Sequence, residues 1–444
     1  MLLRFTVSNF LSFGDELEFT MFPYTRLREH KDHVHDDGKV PLLKAAAIYG
    51  ANGAGKSNLV KAMNAVLALL GFYGDGRTIY HPVPFLLSGK QNDRPSSFEF
   101  EFRFGETYYA YGLTYFKHQI AEEWLYEILP DTKEEQEMIV ERKGDSVVFG
   151  KRYQSSREDE IRNEIVVRPL TKSMALLPIL AKYPDYPEAL QTITWLRERL
   201  LIVTPEVAIT ATTRLVKQFR ELGEFINTVL PKLDTGVLSV DVLTQPWAEV
   251  FGVSREDVKD DLVTKLKAGE SIELPQSIFQ MVATKTSEGK IEVSRLTTTR
   301  QDEAGKVIRF EVHQESDGTQ RLLDLLPVFY SAIYSGITVV IDEVGRSLHP
   351  VLLKSLMAYI MRSPMKGQLI FTTHEEHLLD LDIFRKDEVM FLDKDKSGST
   401  SLSRLSHFNA RKDLDIKKGF VNGRFGAVPV TRKLDFEKTG YVTA

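Results

Sequence analysis

The sequence predicts an α/β protein that has a mixed β-sheet and an inserted helical and α+β region. A glycine-rich loop at residues 50–57 stands between an apolar strand, Ala45–Tyr49, and a helix that begins near Lys56. From about residue 314 onward, helical and strand-like segments alternate, a pattern that is typical of a parallel β-sheet covered by helices. The stretch between these two parts carries both helical and strand-like patterns, and we predict that it is an insertion.

The length of 444 residues exceeds the usual size of one domain. We therefore predict a first lobe over residues 1–120, an insertion over 121–310 that offers partner-binding or dimerisation surface, and a last lobe over 311–444. The insertion contains no long heptad repeat, which argues against a long coiled-coil arm.

Composition excludes several classes of function. Lys and Arg number 57 and Asp and Glu 62, a net charge of −5, so the chain has no overall basic field for nucleic acid. The absence of cysteine excludes disulfides, thiolate metal sites and cysteine nucleophiles. The N-terminus lacks the apolar core of a signal peptide, and apolar runs such as Ala65–Tyr73 are too short to span a bilayer. These patterns predict a cytoplasmic protein without membrane partners.

The first third of the chain reads mainly as strands. Residues 1–22 alternate in two strand-like runs, and residues 98–113 alternate about Gly105, which predicts a hairpin. Another strand is expected to reach Ile128. Residues 23–40 are polar and rich in His and Asp, and we predict an exposed loop there.

The rest of the chain begins with helical periodicity. Residues 171–232 predict helices, residues 254–268 predict a helix capped by Ser254, and residues 277–313 return to strand-like alternation. The predicted elements of the last part are a helix at 318–335, a strand at Thr338–Ile341, a helix at Pro350–Arg362, and strands at Gln368–Thr372 and Val389–Leu392.

Residues 50–57 read GANGAGKS and fit the phosphate-binding loop pattern G-x-x-x-x-G-K-[ST]. Glycines let successive backbone N–H groups surround phosphate oxygens, and the helix that follows directs its positive end at them. Lys56 is expected to reach the β- and γ-phosphates and Ser57 to bind Mg²⁺. The predicted ligands are ATP and Mg²⁺, and the predicted nucleotide contacts are Asn52, Gly53, Gly55, Lys56, Ser57 and Asn58.

Two acids end the apolar strand before residue 344. Asp342 is predicted to hold Mg²⁺ and Glu343 to act as the general base, although an acid pair also ends many ordinary strands. His374 follows a further apolar strand and is predicted to sense the γ-phosphate. The alternative is a surface histidine with local hydrogen bonds.

Ser316 and Gly318 stand at the predicted N-terminus of an apolar helix, about twenty residues before the acid pair. Such an N-terminus can bind an anion. It can equally be a plain helix cap made by Ser316 or Asp317. Together with the acid pair, the order of motifs favours an anion site that completes the nucleotide site of a second subunit.

These four motifs in this order resemble the ABC-type ATPases of the SMC, RecF and OLD group. More narrowly, the segments at 5–13, 345–350 and 423–429 resemble a bacterial branch associated with phage defence, which includes the AbiL-type and PARIS ATPase subunits. The resemblance implies an ABC-type P-loop fold whose last lobe, 311–444, carries the signature, the acid pair, a D-loop and the switch histidine. It also implies ATP sandwiched between two copies of the chain, and control of a separate effector, a nuclease.

The sequence departs from that group in places. Its signature reads ESDGTQ, and Asp317 would repel a phosphate placed beside it. The nearest candidate for a Q-loop glutamine is Gln91, for which a solvent-facing loop residue is the alternative. No acid cluster suited to a TOPRIM nuclease follows His374, so the chain is not expected to cut DNA in the OLD manner.

Two functions therefore compete. The first is an ATPase sensor and scaffold, a homodimer or a larger assembly of dimers, that controls a toxic effector. The second is a RecF-like repair ATPase that binds duplex DNA, for which a basic segment over 385–424 is the candidate surface. The basic residues of that segment are Arg385, Lys386, Arg404, Arg411, Lys412, Lys417, Lys418 and Arg424.

Overall fold

The computed structural model describes residues 1–72, 81–87, 93–130, 132, 135–205, 212–252, 255–274, 281–408 and 416–421. In these ranges the strands are β1 (Leu2–Ser8), β2 (Leu17–Thr20), β3 (Val34–His35), β4 (Leu42–Leu43), β5 (Ala45–Gly50), β6 (Ser96–Phe104), β7 (Thr107–Phe116), β8 (Gln119–Ile128), β9 (Gln136–Lys143), β10 (Ser146–Phe149), β11 (Leu200–Val203), β12 (Ser239–Pro246), β13 (Ser271–Glu273), β14 (Val282–Lys285), β15 (Ile291–Gln301), β16 (Val307–Glu311), β17 (Thr338–Ile341), β18 (Gln368–Thr373), β19 (Val389–Lys394) and β20 (Thr400–Arg404). The helices are α1 (Lys56–Leu69), α2 (Arg157–Val167), α3 (Leu177–Leu180), α4 (Pro187–Thr194), α5 (Thr212–Gln218), α6 (Arg220–Val229), α7 (Trp247–Phe251), α8 (Glu256–Lys265), α9 (Asp317–Tyr334), α10 (Pro350–Met361) and α11 (Ile416–Val421). Within the described ranges, no helix is long and apolar enough to cross a membrane.

The central sheet has six strands in the order β11-β17-β18-β5-β19-β20. All neighbouring pairs are parallel except β19 and β20. Strands β5 and β18 are buried along their whole length, as expected when both faces of a parallel sheet are covered. Because parallel strands end at the same edge, the loops after β5, β17 and β18 come together there.

Two hydrophobic cores lie on the two faces of this sheet. On β5, Ala46 and Ile48 face the core shared with α1 and the first strands, whereas Ala45, Ala47 and Tyr49 face the core shared with α9 and α10. This alternation follows from the period of two along a strand. The sheet is thus fixed from both sides, which gives the loops at its carboxyl edge a rigid base.

A seven-stranded antiparallel sheet has the order β10-β9-β8-β7-β6-β1-β2. The predicted hairpin is confirmed, with β6 and β7 paired from Ser96–Tyr115 to Phe104–Thr107 around Gly105. The sheet continues through β8, β9 and β10, beyond residue 120, where the sequence suggested that an insertion begins. The three-part division of the chain stays a prediction. One sheet crosses its proposed boundary at residue 120.

A third sheet, of five strands, has the order β12-β15-β14-β13, with β16 paired to β15. It confirms the strand-like alternation over 277–313 in its described part. Helix α8 falls within the predicted 254–268 segment, but Ser254 lies outside the described residues. The cap position of α8 is taken by Arg255, whose side chain makes no capping bond.

Two sequence-based expectations are wrong. The helical pattern over 171–232 is interrupted by β11, which pairs in parallel with β17 and extends the central sheet. The run Leu200–Val203 is short and lies between helical segments, so its local sequence gives no clear strand signal. It forms a strand because it pairs with the distant strand β17. The segment 23–40 is not simply an exposed loop, since His33 and His35 are both buried.

Candidate functional site

The loop between β5 and α1 has the backbone shape that its glycines predict. Gly53 has φ 80°, and a Cβ built there would have no atom within 4 Å, so this side of the loop is open. Gly55 caps α1 with φ 109°, and a Cβ there would lie 2.6 Å from Thr400 Oγ1. The first N–H groups of α1 follow directly on this glycine turn, the arrangement that anion binding at a helix N-terminus requires.

Lys56 lies inside this loop and is only 6% exposed. Its Nζ donates to the carbonyl oxygens of Gly50 at 2.6 Å and Ala51 at 3.2 Å. Burial lowers the pKa of Lys56, while the charges of Glu343 and Asp342 act in the opposite direction. The ammonium group is thus held by main-chain dipoles within electrostatic reach of the acid pair.

Two hydroxyl groups hold the loop, that of Ser12 in the turn after β1 and that of Thr400 on β20. Asn58 Nδ2 donates to Ser12 Oγ at 2.9 Å. Thr400 Oγ1 lies 2.9 Å from Ser12 Oγ and 2.9 Å from the Ala54 carbonyl oxygen. The Asn58 amide is therefore engaged within the protein, whereas Asn52 is exposed at the loop tip and Ser57 is half-buried. Nucleotide contacts by these three residues stay predictions.

The acid pair after β17 is organised by Thr372 of the neighbouring strand. Thr372 Oγ1 donates to Asp342 Oδ1 at 2.6 Å and accepts the N–H of Glu343 at 2.8 Å. Asp342 is 3% exposed, and Glu343 turns away from the strand with φ 52°, an uncommon value for a residue other than glycine. One hydroxyl thus fixes the positions of both acids.

Thr372 is a functional candidate that the sequence reasoning missed. The sequence does contain a hint of this role. Thr372 and Thr373 are polar residues at the buried end of an apolar strand, directly before His374. Their partners could not be read from the sequence, since the pairing of β17 with β18 joins residues about thirty positions apart.

Strand β18 lies between β5 and β17 in the central sheet. The phosphate-binding loop, His374 and the acid pair therefore follow three adjacent strands at one edge. His374 is the least enclosed of them, with 54% of its side chain exposed and its Nε2 3.6 Å from Glu375 Oε1. The arrangement leaves the imidazole accessible from solvent, so its predicted role as a γ-phosphate sensor stays open.

The signature segment forms the N-terminus of α9. Ser316 is the cap residue, and its Oγ accepts the N–H of Thr319 at 3.2 Å. Ser316 and Asp317 are exposed, and a Cβ on Gly318 would lie 3.0 Å from the Ser347 carbonyl oxygen. The capping alternative is thus confirmed, and capping leaves the outer face of this N-terminus open.

Among the described residues, no hydrogen bond or ion pair joins residues 315–320 to residues 50–57 of the same chain. Glu315 is bound to strand β15, where its carboxylate accepts hydrogen bonds from Thr298 at 2.5 Å and from Arg300.

Several sequence candidates bear less on the site. Gln91, the segment 423–429, and Arg411, Lys412 and Arg424 lie outside the described residues. Arg385 is buried in an ion pair with Asp387, and Arg404 donates to the carbonyl oxygen of Phe22 at 2.7 Å. These two arginines stabilise the fold and offer little charge to a DNA backbone.

A protein-family model described as "AAA domain, putative AbiEii toxin, Type IV TA system" matches residues 45–380, which is more than half of the chain. No curated protein sequence matches. The central sheet, with the phosphate-binding loop directly after β5, gives the chain a mixed α/β fold, in agreement with the predicted fold class.

Solved structures with similar folds include several SMC heads. The SMC head bound to the C-winged helix domain of ScpA is 12% identical with a TM-score of 0.43, covering 91% of this chain and 97% of that one. The SMC head domain from Thermotoga maritima is 13% identical with a TM-score of 0.37, covering 91% and 98%. The Pyrococcus furiosus Smc head with an extended coiled coil, bound to the C-terminal domain of ScpA, is 13% identical with a TM-score of 0.41, covering 96% and 98%. These likenesses are distant.

Proposed function

Because the chain belongs to this AAA-domain family of AbiEii type, we propose that it is an ATP-binding and ATP-hydrolysing switch that dimerises around its nucleotide. One observation carries the proposal. A phosphate-binding loop with a buried Lys56 lies at the same sheet edge as an acid pair whose two members, Asp342 and Glu343, are positioned by Thr372. This grouping provides a cation for phosphate oxygens, a carboxylate for a metal and a second carboxylate for a proton.

The residues fit the Mg²⁺ ion that such ATPases use. Ser57 offers a hydroxyl and Asp342 a carboxylate, and hard oxygen donors of this kind suit Mg²⁺. When bound, the ion would neutralise charge on the phosphates. Thr372 donates to one Asp342 oxygen and so leaves the remaining lone pairs of the carboxylate available.

The protein groups divide the chemistry among them. Lys56 exchanges its carbonyl partners for phosphate oxygens, which are charged acceptors and form stronger hydrogen bonds. Glu343 accepts the proton of the attacking water as general base. His374 donates to the terminal phosphate and loses that partner after hydrolysis.

The exposed signature segment supports a nucleotide shared between two copies of the chain. Ser316 and Gly318 stand at the N-terminus of an eighteen-residue helix that faces solvent at Ser316 and Asp317 and, in the part of the chain that the structure describes, makes no polar contact with its own P-loop. A helix N-terminus favours an anion. In a two-fold dimer, a contact of one segment with a second segment of the partner is always repeated in reverse. If the signature segment of one copy closes over the ATP of the other, the second copy therefore does the same for the first. Asp317 weakens this contact by repelling the phosphate.

The family description places related domains in a toxin–antitoxin setting. We therefore propose that the ATP-dependent assembly holds a separate toxic effector, a nuclease, and releases it on infection by phage, as in the AbiL-type and PARIS branch. The RecF-like alternative stays a prediction, and affinity for duplex DNA that falls with salt is the measurement that would support it.

Glu343→Gln tests the switch. The variant is expected to bind ATP and to hydrolyse it about 10²–10⁴ times more slowly, because the general base is lost while the site stays intact. With ATP and Mg²⁺ it should elute, in sizing with light scattering, at twice the 50.6 kDa of one chain or a multiple of that mass. Without nucleotide it should return to the smaller species.

A Glu343→Gln protein that binds ATP yet keeps the same mass with and without it would refute the nucleotide-dependent dimer. The same variant tests the effector. Co-expressed with the protein encoded beside it, the variant should retain that protein on sizing in ATP and lose it after nucleotide removal. Co-elution that ignores nucleotide would refute control by the ATP state.

Thr372→Val tests the positioning of the acid pair. Loss of the hydroxyl is expected to lower kcat about 10–100-fold with a small change in KM, since residues that orient functional groups typically matter by this factor. Thr373→Val is the matched control, because its hydroxyl accepts from Glu375 N instead of touching either acid. Equal losses of activity in the two variants would contradict the positioning role.

A further inference from the structure

Three potential metal ligands meet in the segment that the sequence suggested was an exposed loop. His30, Asp32 and His33 surround a 3₁₀ turn at Lys31–His33, and one donor atom of each lies within 4.8 Å of the others. His30 is half-buried, Asp32 is exposed and His33 is buried. His30 also adopts φ 46°, a left-handed conformation that is uncommon for residues other than glycine and costs free energy.

Each imidazole is held through one of its two nitrogens by an acceptor from a distant part of the chain. His33 Nδ1 lies 3.1 Å from both carboxylate oxygens of Glu388, which is fully buried. His30 Nε2 lies 2.8 Å from the Leu381 carbonyl oxygen. These are the partners that metal-binding histidines usually have, a carboxylate and a backbone carbonyl.

Such acceptors fix the tautomers of the rings. A carboxylate or a carbonyl requires a proton on the nitrogen that faces it, so the other nitrogen of each neutral ring carries a lone pair. The two rings lie 4.8 Å apart between centroids, and the Asp32 carboxylate has no partner among the described residues. The three residues therefore offer two imidazole lone pairs and a carboxylate within one turn of the chain.

We propose that His30, Asp32 and His33 bind a zinc ion. A borderline cation with imidazole and carboxylate ligands fits this set, whereas Mg²⁺ prefers oxygen ligands alone. Ligand atoms around one tetrahedral zinc ion lie about 3.3–3.6 Å apart, because each bond is about 2.0–2.2 Å. Side-chain rotations would bring the three donors to this spacing, and water would supply the fourth ligand.

The ion would stiffen the turn at residues 30–33, whose two imidazoles hydrogen-bond to Leu381 and Glu388 in the stretch between β18 and β19. Other contacts join the segment 23–41 to the same stretch: Arg385 donates to the Glu29 carbonyl oxygen at 2.8 Å, and Tyr24 N donates to Asp387 at 2.6 Å. The ion would therefore support an existing contact between distant parts of the chain, separate from the ATP site.

Metal binding to the tag-free, full-length protein tests the proposal, after treatment with EDTA and without nucleotide. Zinc is expected to remain after dialysis at one equivalent per chain and to raise Tm by several degrees. Cobalt(II) should give the intense visible absorption of a tetrahedral site. Asp32→Asn, an exposed change that leaves folding intact, should weaken zinc binding about tenfold or more, and His30→Ala should do the same.

His407→Ala is the matched control, since His407 is an exposed histidine outside the cluster. This variant and Lys56→Ala should both keep the zinc affinity of the wild type. Zinc bound equally by wild type and Asp32→Asn, or no retained zinc and no tetrahedral cobalt spectrum, would overturn the proposal. Loss of zinc in the Lys56→Ala protein would place the ion at the ATP site instead.

Discussion

Replacing Lys56 with alanine is expected to abolish useful ATP binding and to lower kcat/KM by about 10² or more, the effect of removing a buried charged donor from a phosphate site. The ammonium group now rests on the carbonyl oxygens of Gly50 and Ala51, inside a loop that closes around it. Alanine removes the positive charge and leaves those oxygens facing the incoming phosphates. Calorimetric titration with ATP and steady-state ATPase rates measure the two losses.

Lys61→Ala is the matched control for this change. Lys61 lies on the same helix but is exposed and outside the loop, so its removal deletes an equal charge without touching the site. Surface changes of this kind alter stability by no more than about 0.5 kcal/mol. If Lys56→Ala and Lys61→Ala bind ATP equally well, the loop is not the nucleotide site.

The phosphate-binding loop was predictable because its determinants are local. The strand before it, the glycines and the first turn of α1 lie within about twenty-five residues, and each follows from chain chemistry alone. The acid pair and His374 were predictable for a related reason: each ends a short apolar strand. What the sequence left open was the strand order, in which β18 separates β5 from β17.

The parts that escaped prediction depend on contacts between distant residues. Thr372 organises Asp342 only because two strands pair, and Ser12 meets Thr400 across 388 positions of the chain. Strand β11 was missed because its apolar run is short and lies among helices. Propensity gives little guidance where tertiary pairing decides the structure.

The prediction for the segment 23–40 failed for the same reason, although here burial was missed instead of a strand. Polar composition predicts exposure on average, since charged residues and histidine are usually near the surface. His33 is buried because Glu388, 355 positions away, provides a partner for it inside the fold. A buried polar group of this kind is found only once its partner is known.

A mixture of two inactive variants tests whether two copies build one site. Lys56→Ala destroys the P-loop half, and Ser316→Arg places a long cation at the signature half, which should block closure over the other copy. In a mixed dimer both lesions fall in one site, and the second site is intact. At a protein concentration at which dimers form, equal mixing with free exchange should therefore restore up to about one quarter of the wild-type rate, because at most half of the dimers are mixed and each keeps one of its two sites.

The matched control is a mixture of Lys56→Ala with Glu343→Gln. Both lesions lie in the P-loop half, so every site in this mixture is damaged and no activity should return. Ser316→Arg alone should bind ATP with wild-type affinity and should lose only about 1 kcal/mol of stability through the missing cap. If the first mixture stays as inactive as the second, although both exchange subunits, Ser316 does not act on the nucleotide of another copy, and the exposed N-terminus of α9 is a helix cap alone.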